Sequence, residues 1–275
     1  MTLRIGITYT LLRREEQMLQ ERAREFGEVI MLHEAEAVLP RAKELDVVLI
    51  RNVAHHKALY LARLFEELGC AVVNPSAVIH EAGDKLLATL RLSRRVPVPR
   101  WRVAMDREAA LRAAEELGYP VVMKPLVGSW GRMVVKLNDR DALEAVLEHR
   151  QWMENPLQGI YLLQEYVEKP GRDIRSHVFG GKFIASIYRR AQHWVTNTAR
   201  GAMAEPCDSE EVRELSLRAW EAFGRGALAI DIFESPRGLL VDELNPVMEF
   251  KNAVAATGVD VARKLVEHAV EVARR

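Results

Sequence analysis

Three side chains with oxygen donors lie close together near the end of the chain. Asp231 stands in the apolar run ALAIDIF, and Glu243 and Asn245 follow two residues apart in the run LLVDELN. Carboxylate and amide oxygens suit Mg²⁺, an ion that proteins usually share with substrate phosphates. A charge inside an apolar strand is costly without a partner, and a divalent cation would be that partner for Asp231. The alternative is that Asp231 pairs with an arginine while Glu243 simply faces water.

The two apolar runs flank the turn signal SPRG. This pattern predicts two antiparallel strands joined by a short hairpin. Side chains alternate between the two faces of a strand, so Val241, Glu243 and Asn245 are expected on one face and Asp242 on the other. The hairpin would hold Glu243 and Asn245 opposite Asp231.

A lysine and a glycine loop form a second candidate site. An apolar run ends at Lys124, the loop GSWG occupies residues 128–131, and a second strand is expected over residues 133–135. A glycine loop between two strands can bring N–H groups against phosphate oxygens while a nearby lysine neutralises their charge. A glycine hairpin without a ligand is the other interpretation. The Walker A pattern is absent, so any phosphate site here is not a P-loop.

Two further segments carry candidate ligand contacts. In the apolar run YLLQEYV, Gln164 and Glu165 could read an adenine edge, although a sheet edge would also place polar residues there. The segment over residues 172–200 contains a single acid, Asp173, and therefore needs an anionic partner or much water. Its basic residues are Arg172, Arg175, Lys182, Arg189, Arg190 and Arg200.

Composition excludes several classes of protein. With 275 residues, 49% hydrophobic and 28% charged, the chain resembles an ordinary globular protein. Lys plus Arg and Asp plus Glu both number 39, so no overall charge favours nucleic acid or a membrane surface. Cys70 and Cys207 form neither a disulfide framework nor a zinc-binding spacing. No leader pattern and no apolar run of roughly 18 residues is present. We therefore expect a cytoplasmic protein that binds neither nucleic acid nor membranes.

Strand-like and helix-like segments alternate over the first part of the chain. The apolar runs LRIGITY, EVIML, DVVLIRN and AVVN are separated by helical patterns, which favours a parallel α/β sheet. The first turn lacks G-x-G-x-x-G, so a dehydrogenase is disfavoured. Ser76 is expected to cap a short helix that ends near Gly83. Pro97 and Pro99, in an arginine-rich stretch, indicate a domain connector.

The order of these features resembles that of the ATP-grasp carboxylate–amine ligases. Lys85 follows the first unit, and a second lysine precedes the glycine loop. A Gln-Glu-Tyr-Val strand, a basic two-stranded element and Asp…Glu-x-Asn on a final hairpin come next. The segments GDK, VMKPLVGSWGR, QEYVEKPGRDIR, HWVTNTARG and NPVMEFKN look most like the carrier-protein ligases LysX and ArgX of lysine and arginine biosynthesis. These ligases are relatives of the RimK glutamate ligases, and the resemblance extends over nearly the whole chain.

The resemblance implies an α/β protein with the ATP-grasp fold. An N-terminal parallel α/β domain is expected over residues 1–94, ahead of two α+β subdomains that clasp ATP. The central ATP-grasp subdomain, with a phosphate lid, is expected over residues 95–168. The C-terminal ATP-grasp subdomain, with the metal and substrate sites, is expected over residues 169–275.

The resemblance also assigns roles to the candidate residues, position by position. The phosphates of ATP would be held by Lys85 and Lys124, under a lid formed by Gly128, Ser129 and Gly131. Adenine would contact Gln164, Glu165 and Val167, and the ribose would bind Asp173. Two Mg²⁺ ions would be held by Asp231, Glu243 and Asn245. The transferred phosphoryl group and the acidic substrates would face Arg175, Arg189, Arg190, Asn197 and Arg200.

The implied reaction starts when a carrier carboxylate attacks the γ-phosphate of ATP and forms an acyl phosphate, which an α-amine then converts into an amide. The carrier would be a small acidic LysW-like protein with a C-terminal glutamate, and the amine would come from α-aminoadipate or glutamate. The pair Asn197-Thr198 is similar to the α-aminoadipate version of the family. Pro246-Val247 stands where some relatives have a more polar residue, so the amino-acid pocket departs from the pattern.

Other interpretations stay open. A RimK-like glutamate ligase or a small-dipeptide ligase would keep all nucleotide-binding residues and differ in the acceptor pocket. A non-catalytic nucleotide-binding or scaffold protein is the alternative from another class, and the intact lysines and metal ligands argue against it. A homo-oligomer, either a dimer or a tetramer, is expected.

Overall fold

The protein is described by a computed structural model over residues 2–36, 44–191, 193–194 and 203–275. Its first unit is a sheet of four parallel strands in the order β2-β1-β3-β4. Parallel neighbours need crossover connections, which helices supply here. The elements are β1 (Leu3–Tyr9), α1 (Arg14–Ala23), β2 (Gly27–His33), β3 (Val47–Arg51), α2 (His55–Glu67), β4 (Ala71–Val73), α3 (Ser76–Gly83) and α4 (Lys85–Leu92).

The start of α3 differs from the sequence-based expectation. Pro75 occupies the cap position and Ser76 is already helical, so the prediction that Ser76 caps this helix is wrong. The carboxylate of Glu66, in α2, instead accepts hydrogen bonds from the Ser76 backbone N–H (2.8 Å) and hydroxyl (2.5 Å). This tertiary contact takes the hydroxyl away from its own helix, and the local pattern does not show it.

The central unit is an antiparallel sheet with the strand order β5-β8-β6-β7. It has its own apolar core, in which Leu111, Met123 and Leu163 are buried. Strand β7 starts later than predicted because Met133 has a φ of +59°, which interrupts an extended backbone. The elements are β5 (Trp101–Ala104), α5 (Arg107–Leu117), β6 (Val121–Lys124), β7 (Val135–Leu137), α6 (Arg140–Gln151), a 3₁₀ turn (Pro156–Gly159) and β8 (Tyr161–Glu165).

The last unit is a five-stranded antiparallel sheet with the order β11-β10-β9-β12-β13. The predicted hairpin is present as β12 and β13. The final helix begins after Asp260, whose carboxylate caps it by accepting a hydrogen bond from the backbone N–H of Arg263 (2.9 Å). The elements are β9 (Arg172–Phe179), β10 (Lys182–Arg190), β11 (Met203–Pro206), α7 (Glu210–Glu221), β12 (Ala227–Ser235), β13 (Gly238–Asn245), α8 (Lys251–Thr257) and α9 (Val261–Ala273).

The last sheet packs against an apolar core on each of its faces, and one of these cores also includes residues of the first unit. Leu228 and Ile230 of β12 pack into a core with residues of α3, α4 and α7. Ala227 and Ala229, on the other face, join a core with α9 and with β1 and β3 of the first sheet. The first and last units therefore form one packed body, and the central unit faces it across a cleft. Among the described helices, none is long and apolar enough to cross a membrane.

Candidate functional site

The cleft between the central and last sheets encloses about 820 Å³, counting its open mouth. It is bounded by the ends of β6 and β8, by residues 128–131, and by β9, β10, β12 and β13. The predicted residues that the structure brings together along its walls are Lys85, Lys124, Gly128, Ser129, Gly131, Gln164, Glu165, Val167, Asp173, Arg189, Asp231 and Glu243.

The hairpin that carries the candidate metal ligands contains a β-bulge. Asp231 lies directly opposite Glu243, but its neighbour Ile232 pairs with Val241, which leaves Asp242 as an extra residue. A bulge of this kind re-aims side chains. As a result Asp242 and Glu243 both line the cleft, while Val241 is buried in the core beneath it. The expectation of strict alternation, with Val241 beside Glu243, is therefore wrong.

Asp231 is surrounded by arginine side chains. Its two carboxylate oxygens accept hydrogen bonds from Nε and Nη2 of Arg175, each over 2.7 Å, and Nη2 of Arg189 lies 3.2 Å away. Nδ2 of Asn245 is 3.4 Å from the same carboxylate. Burial favours the neutral acid, but the two guanidinium groups outweigh it and hold the pKa of Asp231 well below its usual range. The carboxylate is therefore a fixed anion, and the arginine pairing foreseen as an alternative is present.

Arg189 links the candidate metal end of the cleft to the candidate ribose end. Its Nε and Nη2 also donate to the two carboxylate oxygens of Asp173, over 2.6 and 2.9 Å. Burial opposes its charge, but the carboxylates of Asp231 and Asp173 raise the pKa of Arg189 above its ordinary value. Arg190, the next residue, points elsewhere because side chains alternate along β10. Its guanidinium pairs with Glu205 over 3.0 Å at the surface, so the structure does not bring Arg190 to the cleft.

The floor of the cleft carries an acid that the sequence patterns did not single out. Nζ of Lys124, at the end of β6, lies 2.5 Å from Oδ1 of Asp242 on the bulge, and both side chains are almost fully buried. Burial raises the pKa of Asp242, in spite of the neighbouring lysine. Lys169 lines the same cleft, and burial lowers its pKa. The only sequence signal for Asp242 is a charge inside an apolar strand, the signal that Asp231 also gave.

The candidate adenine end differs in detail from expectation. Gln164 is buried in β8, and Val167 lies at the same wall. The carboxylate of Glu165 accepts hydrogen bonds from the backbone N–H and Nε of Arg100, each over 2.8 Å, and it also pairs with Arg237. The Glu165 side chain is thus already engaged by two arginines, although the residue lines the cleft.

The glycine loop over residues 128–131 separates this cleft from a second one. Nζ of Lys85 donates to the carbonyl oxygen of Gly128 (2.8 Å) and lies 3.4 Å from a carboxylate oxygen of Glu243. Trp130 donates from Nε1 to Oε1 of Glu249 (3.1 Å), on the other side of the loop. The loop is therefore attached at both ends to the rest of the molecule.

The second cleft lies between the first unit, the glycine loop and the segment after β13. It encloses about 850 Å³, counting its open side, and shares Lys85, Gly128 and Ser129 with the first cleft. Arg13, Arg175 and Asn245 also border it. Two adjoining clefts with a common wall can hold two reactants with their reacting ends at the shared boundary.

Asp231, Glu243 and Asn245 carry donor atoms of the kind that a Mg²⁺ site requires. Two carboxylates and an amide on paired strands are hard donors that suit Mg²⁺ when phosphate oxygens complete the shell. In the described part of the chain no three His, Cys, Asp or Glu side chains form a metal-binding group by themselves. With phosphate oxygens completing the shell these side chains would hold the ion, and Asp231 would share its carboxylate with Arg175 and Arg189. Asn197 and Arg200, two of the candidate catalytic residues, lie outside the described residues.

Known proteins match the chain over nearly its full length. The model of the RimK-like ATP-grasp domain matches residues 82–269, and that of the LysX preATP-grasp domain matches residues 5–80. The α-aminoadipate–LysW ligase LysX of Sulfurisphaera tokodaii is 38% identical over 274 residues, which cover 95% of this chain and 96% of that protein. The glutamate–LysW ligase ArgX of the same organism is 34% identical over 278 residues, which cover 98% and 99% of the two chains.

Among solved structures, a RimK domain ATP-grasp protein of Sphaerobacter thermophilus superposes with a TM-score of 0.80 at 26% identity. The superposition covers 97% of this chain and 99% of that one. The ATP-grasp fold and the family resemblance inferred from the motifs are thereby confirmed.

Proposed function

Because the chain belongs to the RimK-like ATP-grasp family, we propose that it joins the α-amino group of α-aminoadipate to the C-terminal glutamate side chain of a LysW carrier protein. It is an ATP-dependent ligase and uses ATP and Mg²⁺. The expected place of this reaction is lysine biosynthesis. The observation that carries the proposal is the convergence of Lys85, Lys124, Asp231 and Glu243 on one cleft.

The choice of α-aminoadipate is supported by the two relatives from one organism. The chain is 38% identical to LysX and 34% identical to ArgX of Sulfurisphaera tokodaii. Glutamate is the second candidate, because its side chain is only one methylene shorter. One methylene is worth about 1–3 kcal/mol in a pocket, so some activity on both amino acids is physically expected.

The charged residues of the first cleft suit the first chemical step. A carboxylate oxygen of the carrier attacks the γ-phosphorus of ATP, and the bond from that phosphorus to ADP breaks. Asp231, Glu243 and Asn245 would hold Mg²⁺, which supplies positive charge against the phosphate oxygens when bound. Lys85 and Lys124 would balance the remaining charge. Arg175 and Arg189 would stabilise the charge that develops on the transferred group, since phosphoryl transfer depends mainly on positioning and electrostatics.

The second step requires that water be kept out. The amine nitrogen attacks the acyl carbon, the bond from that carbon to phosphate breaks, and the proton of the amine leaves to solvent. Water competes with the amine for the same carbon, so a closed lid raises the share of productive turnover. Residues 128–131 lie over the boundary between the two clefts, where such a lid is needed.

The test is the intact mass of the carrier after incubation with the protein, ATP, Mg²⁺ and one amino acid at a time. The expected result is a mass gain of one α-aminoadipate residue that depends on ATP, with one ADP formed per amide. A kcat/KM that favours glutamate by about tenfold or more would transfer the protein to the arginine-forming branch. An unchanged carrier with both amino acids would exclude carrier ligation and favour a small-molecule acceptor.

Four further expectations stay predictions: the cytoplasmic location, the dimer or tetramer, the number of metal ions and the domain boundaries.

A further inference from the structure

We infer that Trp130, Glu249 and Arg13 form a latch that holds the lid over residues 128–131 closed, with Glu249 as its positioning residue. The inference rests on the proposed function in one respect, namely that this loop covers ATP. The latch would connect the closed lid to the first unit of the molecule, across the second cleft.

The tryptophan is held on two sides. Its indole Nε1 donates to Oε1 of Glu249 over 3.1 Å, and the guanidinium carbon of Arg132 lies 4.8 Å from the centre of its ring. Its φ is +61°, in the left-handed region that side chains with a Cβ rarely adopt. Such a backbone persists only where surrounding contacts hold it in place. The two contacts of the ring therefore help to hold this loop conformation.

The carboxylate that receives Trp130 is itself fixed. Nη1 of Arg13 lies 3.4 Å from the same oxygen of Glu249. Arg13 is held in turn by Glu16, with Nε and Nη2 donating over 3.0 and 2.8 Å. Glu16 is fully buried and also pairs with the buried Arg51 over 3.1 Å. The latch is thus anchored by a buried ion-pair network between Glu16 of α1 and Arg51 of β3, which fixes the position of Arg13.

The other end of the lid is attached by a group that nucleotide would remove. Nζ of Lys85 donates to the Gly128 carbonyl, and Lys85 is assigned to the phosphates. Phosphate oxygens carry more charge than a carbonyl oxygen, so bound ATP would draw the ammonium group away. The bond from Trp130 to Glu249 then keeps the lid closed while Lys85 holds the nucleotide. Arg13 and Glu249 also border the second cleft, so lid closure and occupancy of that cleft share residues.

The test uses trypsin and the exposed Arg132, which directly follows the lid. Cleavage after Arg132 is measured with and without a non-hydrolysable ATP analogue. In the wild type the analogue is expected to slow this cleavage.

Two variants each remove the bond between Trp130 and Glu249. Trp130→Phe removes the indole N–H and keeps an aromatic ring, and Glu249→Leu removes the acceptor. Each should lower the protection by about tenfold, the factor that one hydrogen bond to a charged group supplies. Glu249→Gln keeps an acceptor oxygen without the charge and should therefore keep more of the protection than Glu249→Leu does. Trp152→Phe, at an exposed tryptophan of α6's C-terminal end, is the matched control.

A second readout is the ratio of ADP to amide, which rises when the lid no longer keeps water from the acyl phosphate. Trp130→Phe and Glu249→Leu should raise the ratio of ADP to amide severalfold, and the double variant should not exceed either single change, because both remove one bond. Wild-type protection and a wild-type ratio in Trp130→Phe would overturn the latch. The trypsin readout needs only the nucleotide, so it still tests the latch if no carrier amide forms, an outcome that would count against the proposed function instead.

Discussion

Lys124 and Asp242 form an ion pair that joins two sheets, with Nζ and Oδ1 2.5 Å apart on the floor of the cleft. Lys124 belongs to the central sheet and Asp242 to the last one, on the residue that the bulge inserts. The side chains are 8% and 10% exposed, so neither charge is well solvated. Each charge therefore depends on the other, and the pair fixes the width of the cleft at that point.

Lys124→Met is expected to lower the midpoint of thermal unfolding by about 5–10 °C, because it leaves a buried carboxylate without its partner. The double change Lys124→Met with Asp242→Leu should recover most of that loss. Neither variant should bind ATP with wild-type affinity, since the lysine is the group assigned to phosphate. Calorimetric scans and nucleotide titrations measure the two effects separately. A single variant that is as stable as the wild type would show that the pair is not buried in solution.

Glu243→Gln is expected to lower turnover by about 10²-fold or more at saturating Mg²⁺, because the amide cannot supply the charge of a preorganised ligand. The matched control is Glu234→Gln, on the same hairpin but outside the cleft, where the carboxylate pairs with Arg172. The measurement is the steady-state turnover of both variants and the wild type over a range of Mg²⁺ concentrations. Equal turnover in Glu243→Gln and the wild type would refute the assignment of Glu243 as a metal ligand.

Acidification should destabilise the protein through His177. This side chain is fully buried in β9, and burial lowers its pKa to about 4. An unfolded histidine keeps its ordinary pKa near 6.5, so between those two values the unfolded state binds more protons than the folded state. The contribution of His177 to the free energy of unfolding is therefore fully present above about pH 6.5. It is lost as the pH falls towards 4, by up to about 1.4 kcal/mol per pH unit for one group.

Replacement of His177 by Leu should reduce this pH dependence, measured by denaturant unfolding from pH 7.5 to 4. It should not abolish it, because burial also lowers the pKa values of His55 and His268. His149→Leu, at an exposed position of α6, is the control and should keep the wild-type slope. An identical slope in the wild type and His177→Leu would assign the effect to other groups.

Asn74 connects the first sheet to the hairpin through three hydrogen bonds. Its Nδ2 donates to the carbonyl oxygens of Ala227 and Pro246, and its Oδ1 accepts from the Ala227 N–H, each over 2.6 Å. Asn74→Asp would place an acceptor against two carbonyl oxygens. It should destabilise the protein by about 2 kcal/mol or more, since buried groups would lose their partners.

The matched control for Asn74 is Asn155→Asp. Among the described residues, the Asn155 side chain bonds through its oxygen alone, which caps the 3₁₀ turn at Leu157 (3.0 Å). Aspartate caps as well as asparagine does, so this change should be nearly neutral. Thermal unfolding at pH 8 compares the two. Equal midpoints for both variants would mean that the Asn74 amide does not carry the connection.

The sequence predicted those parts of the site that depend on local pattern. The hairpin, Asp231 opposite Glu243, and the lysine before the glycine loop all follow from periodicity and turn signals. The bulge at Asp242 could not be predicted, because strand register is decided by the packing of Val241 in a core that other segments complete. Likewise Trp130 and Glu249 are 119 positions apart, and no local pattern pairs them.

The core shared by the two ends of the chain affects how the protein is made. Leu265 and Val266 of α9 share one buried core with Ile5 of β1 and Val47 of β3, so the last helix completes the core on this face of the first sheet. On the ribosome, β1 and β3 emerge long before α9 is translated. Exposed apolar strands in an incomplete chain favour aggregation. This face of the first sheet therefore stays partly uncovered in the nascent chain until α9 has been synthesised.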